Sequence, residues 1–357
     1  MWFNYLSYLD RVVKSLLQQV NFVAYGSCPR KVDYRKILHG VKFMSTETHT
    51  QYASSPPVSH SRRKRSTQWR EDLAGFAFVS PMLIGLFTLT LFPIIASFFL
   101  SFTNWNFVAG FSKMKLVGFD NFIKLFKDNA FIMSLENNLI LIIVVPVTLI
   151  CSLLLAVIID KKVFFKDLFK IIYFIPYISS IVAVAIVFQV LFHPSYGPIN
   201  QMLMSFGVAN PPKWIADPDV ALYCVMGLMV WVNIGYNMII FLAGLQSIPK
   251  DLYEAADIDG ASKWKQFYRI TVPLLSPTTF FLLVTGIIGS FKVFDIIAVL
   301  TNGGPANSTT VVVYRLYEAA FINLQSGYAS AMAIVLLFFV LVVTWIQWIG
   351  QRRWVNY

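Results

Sequence analysis

Charge is what this sequence lacks. Only 13% of its 357 residues are Asp, Glu, Lys or Arg, against about 25% in average soluble domains. Residues 73–112, 137–159, 171–212, 220–249, 270–291 and 319–351 contain none at all. A soluble fold of this size needs charge over its whole surface, so a soluble enzyme is excluded. A disordered chain is excluded too, since it would be poor in apolar residues. The three cysteines, Cys28, Cys151 and Cys224, form no CxxC pair and cannot frame a disulfide scaffold. They read as small buried hydrophobes. The four histidines, His39, His49, His60 and His193, form no HExxH pattern, and neither a catalytic nor a metal site is expected. The phosphate-cradling pattern GxxxxGK[ST] is also missing, so no ATP hydrolysis is expected of this chain.

What is present is apolar: 57% hydrophobic and 16% aromatic residues. A helix crosses a bilayer with about 20 apolar residues, and every charge-free run is long enough. Barrel strands would alternate in runs of about ten. The reading is therefore an all-α polytopic membrane protein with six transmembrane helices, near 76–102, 137–159, 170–192, 220–243, 277–300 and 329–350. Pro81, Pro93, Pro146 and Pro176 fall within three of them, which membrane helices tolerate when neighbours satisfy the freed backbone groups.

The net charge is +11, and most of it precedes the first apolar run, with 12 Lys/Arg and 3 Asp/Glu in residues 1–70. No aromatic-basic platform accompanies it, so nucleic acid is not expected as a partner. Residues 1–72 read as a basic, partly disordered cytoplasmic leader ending in Arg62, Arg63, Lys64 and Arg65. No signal peptide is evident. Within 1–43, Leu6, Leu9, Val13, Leu16, Leu17 and Val20 share one helical face. That stretch reads either as a helix lying on membrane lipid or as an artefact of start-site choice, since Met44 begins a more ordinary leader. With the leader inside, the inner loops carry nine Lys/Arg and the outer loops six. The positive-inside rule then puts both termini in the cytoplasm.

The inner loop 244–276 is too long for a simple connector. Pro249 suits the first turn of a helix. Asp251, Glu254, Asp257 and Asp259 crowd its N-terminal half, where the helix dipole favours anions. Gly260 permits a turn, and Lys263, Lys265 and Arg269 follow. Pro273 and Pro277 are expected to stop a second helix and launch the next span. Two short helices around a glycine break can dock into a groove on a partner.

Glu254-Ala255-Ala256, Gly260, Ile270 and Pro273, at this spacing, resemble the EAA signature of ABC-importer permeases, with Val272 in place of the usual leucine. The stretches FKVFDIIAVLTNGGPANSTTVVVYRLY, HPSYGPINQMLMSFGVANPPKWIADPDVAL and WVNIGYNMIIFLAGLQ are similar to the maltose-type carbohydrate permeases, on the side of the larger of two unlike subunits. The resemblance covers 73–357, the permease domain. It implies the type I importer fold with a cytoplasmic coupling helix, in the bacterial inner membrane. Glu254, Ala255, Ala256, Asp259 and Gly260 would contact a dimeric ATP-binding subunit that holds ATP and Mg. A second permease subunit and an extracytoplasmic sugar-binding protein would complete the system. The chain itself would need no cofactor.

Sugar sites combine flat aromatic faces with a few placed polar groups. Trp231, Asn233, Tyr236 and Asn237 in the fourth span, with Ser290 and Lys292 in the fifth, are the substrate candidates. The resemblance supports Trp231, Asn233, Tyr236 and Ser290. Val293 aligns with a family position that is polar elsewhere. Lys292 and Asp295 are three apart and expected on one helix face; they read either as an internal ion pair or as recognition of a charged sugar. The rival reading of the whole chain is a self-sufficient secondary transporter or channel. It would favour an internal repeat between halves, and the coupling loop would go unexplained.

Overall fold

The structure, a computed structural model, describes residues 65–160 and 164–354. The amphipathic stretch within 1–43, Arg62, Arg63 and Lys64, and the loop residues Lys161 and Lys162 lie outside the described residues. Arg70–Tyr357 form one compact unit.

Helices dominate, and proline shapes several of them. The first apolar run is α1 (Arg65–Leu86), a wide turn at Phe87–Leu91 and α2 (Phe92–Leu100). The wide turn lies just ahead of Pro93. Proline cannot donate to the carbonyl four residues back, and its ring pushes that carbonyl aside. A short loop and α3 (Asp120–Leu125) lead to α4 (Asn129–Leu141) and α5 (Val144–Asp160), a second run interrupted at Ile142 and Ile143 ahead of Pro146. Asp128 caps α4 by accepting from the Ala130 N–H at 2.9 Å, which satisfies one of the orphan donors of a helix start.

The third span departs from a straight 170–192 helix. It is α6 (Lys166–Ile178) and α7 (Ile181–Leu191), bent by 94° at Ser179–Ser180. Pro176 removes a donor in the last turn of α6. Ser179 then turns extended and its hydroxyl donates to the Ile175 carbonyl at 2.7 Å, ending the ladder.

Beyond α8 (Pro198–Ser205), α9 (Ala221–Gln246) crosses unbroken. The segment 244–276 then forms α10 (Lys250–Ile258), α11 (Lys263–Gln266), a wide turn Phe267–Thr271 and α12 (Val272–Leu274). The expectation that Pro273 stops this second helix is corrected. Pro273 stands in the first turn of α12 and opens the ladder upstream, as Pro93 does. The 61° bend falls between Leu274 and Ser276, ahead of Pro277.

The fifth span is also shorter than 277–300. Helix α13 (Ser276–Phe291) stops, and α14 (Asp295–Leu300) restarts after Lys292–Phe294. In a continuous helix the Ser290 carbonyl would accept from residue 294. Here it accepts from the Asn138 amide of α4 at 3.3 Å, and Asn138 in turn accepts from the Val312 N–H at 2.9 Å. Lys292 and Asp295 therefore do not share a helix face. Both are exposed, and they form no ion pair with each other. Helix α15 (Val312–Tyr317) and the final span α16 (Ser326–Trp354) follow.

Among the described residues, four helical stretches (Gly75–Leu100, Asn129–Asp160, Ala221–Gln246 and Ser326–Gln351) are long and apolar enough to cross a membrane, or up to six spans if each bent pair counts as one. Helices α5 and α9 pack along most of their length. Leu228, Met229 and Val232 join Ile297 and Leu300 in one buried cluster, while Met238, Phe241 and Leu245 join Leu149 and Leu282 in another. At one end a polar knot joins α4, α15 and α16. Arg315 contacts Glu318 at 2.8 Å and Asp128 at 3.7 Å, and the Tyr328 hydroxyl donates to Asp128 at 2.8 Å.

Helix α6 crosses α9 at Gly235, where a Cβ would stand 1.9 Å from the Tyr173 carbonyl oxygen. Backbone cannot yield as a side-chain tip can. A Gly235→Val variant is expected to lose about 3 kcal/mol, the upper end of the usual overpacking cost, seen as a lower detergent-solubilised melting temperature. Gly227→Ala on the same helix meets nothing within 4 Å and should melt at or above wild type.

Candidate functional site: a polar cavity and an exposed helical segment

Between α5, α6, α9 and α13 lies a cavity of ≈ 330 Å³. On α9, Met229, Asn233, Tyr236 and Asn237 line it; the spacing i, i+4, i+7, i+8 puts them on one face. From α13 come Thr285, Gly286, Gly289 and Ser290, with Val293 just beyond. Val145 and Thr148 of α5 close the wall opposite, and Tyr177 enters from the last turn of α6.

Four of the six candidates are thus brought together: Asn233, Tyr236, Asn237 and Ser290. Trp231 and Lys292 are not among the lining residues. Two residues from Asn233, Trp231 points about 200° round the helix; it is 45% exposed and lies against Phe188 at 5.3 Å between ring centroids. Val293 lines the wall as an apolar residue, so a polar contact there is absent.

The sequence reading missed Tyr177, Thr148 and Thr285. Tyr177 stacks on Tyr236 with centroids 4.6 Å apart and planes at 17°. Nothing local announces it, because the bend at Ser179–Ser180 and the close crossing at Gly235 bring it there. Thr148 and Thr285 had a signal, being polar residues inside apolar runs. Asn137 and Asn138 were missed too. The Asn137 amide donates to the Thr310 carbonyl at 2.9 Å, so the two asparagines hold both the end of α13 and the loop before α15.

The second feature is the segment that carries the EAA pattern. Glu254, Ala255, Asp259 and Gly260 are exposed and Ala256 is half-buried. Gly260 takes φ +69°, and the Ala261 N–H reaches back to the Ala256 carbonyl at 2.9 Å. That left-handed residue with a six-residue backbone bond is how helices commonly end at glycine. Ser262 accepts from the Lys265 N–H at 3.4 Å to start α11. Asp257 ties the halves together, accepting from Lys263 at 2.7 Å and from Gln266. The Tyr253 hydroxyl pairs with Thr271 at 2.9 Å. The helical pair is therefore held as a unit while it presents Ile258, 88% exposed, and Trp264, 71% exposed.

Residues 148–356 match the family described as "Binding-protein-dependent transport system inner membrane component". A probable ABC transporter permease protein of Pyrococcus horikoshii is 37% identical over 74% of this chain and 91% of its own length. The lactose transport system permease protein LacF of Rhizobium radiobacter is 34% identical over 79% of this chain and 95% of its own. A crystal structure of a bacterial ABC transporter involved in the import of the acidic polysaccharide alginate contains a chain that superposes with a TM-score of 0.71. That chain is 26% identical, over 81% of this chain and 98% of its own length.

Two predictions follow from these contacts. Asn138→Leu strands a buried N–H and a carbonyl, so a loss of about 1–3 kcal/mol per group is expected in a detergent melt. Hydrogen bonds from Lys263 and Gln266 hold the Asp257 carboxyl below its ordinary value. A depressed folded value stabilises above the unfolded one, near 3.9, and the benefit disappears as pH falls through the folded value. The melting difference between wild type and Asp257→Asn should therefore be small but constant from pH 8 to 5, and should close below about pH 4.

Proposed function

Because the chain belongs to the binding-protein-dependent transport inner-membrane components and is a multi-pass permease subunit of an ABC importer, we propose that it forms half of a pathway moving a sugar or oligosaccharide into the cell. The observation that carries the energetic side is the exposed helical pair Lys250–Ile258 and Lys263–Gln266. Its apolar tips, Ile258 and Trp264, stand in solvent beside the EAA pattern. An exposed apolar surface rimmed by charge is what a docking helix offers a groove. A separate ATP-binding subunit receives it, with the charge-rich leader and this segment on the cytoplasmic side and both termini cytoplasmic.

Transport then follows from coupled equilibria. Binding and hydrolysis of ATP in the partner open and close its two halves. The docked segment moves as one body because Asp257, Lys263 and Gln266 clamp it. Motion passes through the wide turn Phe267–Thr271 and the bend at Leu275 into α13, which carries one wall of the cavity. A ligand that binds one arrangement more tightly biases the cycle.

Substrate sits, in this reading, against the polar cavity. Asn233, Asn237 and Ser290 supply hydrogen-bonding groups, while Tyr236 and Tyr177 supply ring surface, the mixture that suits a sugar with polar edges and apolar faces. The relatives support carbohydrate: one is a lactose permease and one structure belongs to an alginate importer. A second permease closes the open side of the cavity, and an extracytoplasmic binding protein delivers the sugar.

The reading is tested by a detergent pull-down of the chain expressed with its operon neighbours. Wild type should recover an ATPase and a second permease; Glu254→Arg/Gly260→Trp should lose the ATPase and keep the permease. An isolated chain in both cases would instead favour a self-sufficient transporter.

A further inference from the structure

We propose that the cavity selects uncharged saccharides and rejects acidic ones, an inference that rests on the carbohydrate reading above. None of the lining residues is Asp, Glu, Lys, Arg or His. Lys292 and Asp295, which follow Ser290 in the chain, are exposed and lie outside the lining.

The orientation of the polar groups carries the inference further. The Thr148 hydroxyl donates to the Val144 carbonyl at 2.7 Å, that of Thr285 to Phe281 at 2.8 Å, and that of Ser290 to Ile287 at 2.8 Å. The Asn233 amide nitrogen donates to the Met229 carbonyl at 2.8 Å. A hydroxyl has one proton to give. With that proton committed to its own helix, each hydroxyl has only lone pairs left for a ligand, while Asn233 keeps its amide oxygen and one of its two N–H groups. Three of the polar groups thus face a ligand as acceptors. Sugar hydroxyls, which donate, complement such a wall. A carboxylate, phosphate or sulfate brings more lone pairs and finds no cation among these lining residues to offset its desolvation. Donors remain at Asn237, Tyr177 and Tyr236, whose polar side-chain atoms make no hydrogen bond among the described residues. These neutral donors can orient a sugar ring, but they carry no charge to neutralise an anion.

The experiment is equilibrium binding to the purified assembly of this chain, its second permease and its ATPase. The probes are radiolabelled neutral oligosaccharides (lactose, cellotriose, galactotriose) and uronic-acid counterparts of the same length (trigalacturonate, trimannuronate). At least one neutral sugar should bind, with every uronate weaker by about tenfold or more, since an unpaired carboxylate is costly to bury. A uronate that binds as tightly as the best neutral sugar overturns the inference and leaves the carbohydrate reading intact. Selective loss of uronate binding in Lys292→Ala would also overturn it, by making Lys292 the recogniser of charge. Binding of neither class would remove the carbohydrate reading itself, and the inference with it.

Discussion

Inside a bilayer a backbone N–H or carbonyl has no water to turn to, so every interruption of a helix must be answered by another part of the protein. This chain interrupts its helices repeatedly, and what answers each interruption differs. At Ser179 the answer is local, a hydroxyl bonded one turn back. At Phe291 it is distant: Asn138 of α4 takes the Ser290 carbonyl with its amide nitrogen and the Val312 N–H with its amide oxygen. That single buried side chain lets α13 end where it does and places Ser290 at the cavity wall.

The interruptions make room for the site. A straight third span would keep Tyr177 away from Tyr236, and a straight fifth span would align Lys292 with Asp295. Instead α6 ends in a 94° bend and crosses α9 at a glycine, bringing two aromatic rings face to face. The same logic governs the other end of α13. Wide turns ahead of Pro93 and Pro273 relieve the clash that proline imposes on its helix. The second of these lies between the clamped EAA segment and the cavity wall, so the device that accommodates a proline also stands between those two features.

Much of the site was legible as periodicity. Asn233, Tyr236 and Asn237 recur at helical spacing on a span that runs unbroken, so their convergence follows from the sequence. The same spacing excludes Trp231, two residues away and therefore on another face. Where the helix breaks, spacing fails: Lys292 and Asp295 look paired at three residues apart and are not. Thr148 and Thr285 stood out as polar residues in apolar runs, whereas Tyr177 carried no such mark.

The sequence by itself determined that this chain is helical and crosses a membrane, because charge-free runs of that length cannot be hidden otherwise. It determined the EAA segment as well, since glycine, flanking charge and proline act within a few residues of where they stand. Only the tertiary structure decided where spans three and five break, which side chains share the cavity, and that its serine and threonine hydroxyls donate to their own helices. Those facts depend on contacts between residues as far apart as Asn138 and Val312. Local propensity carries no information about which distant group will satisfy a given carbonyl.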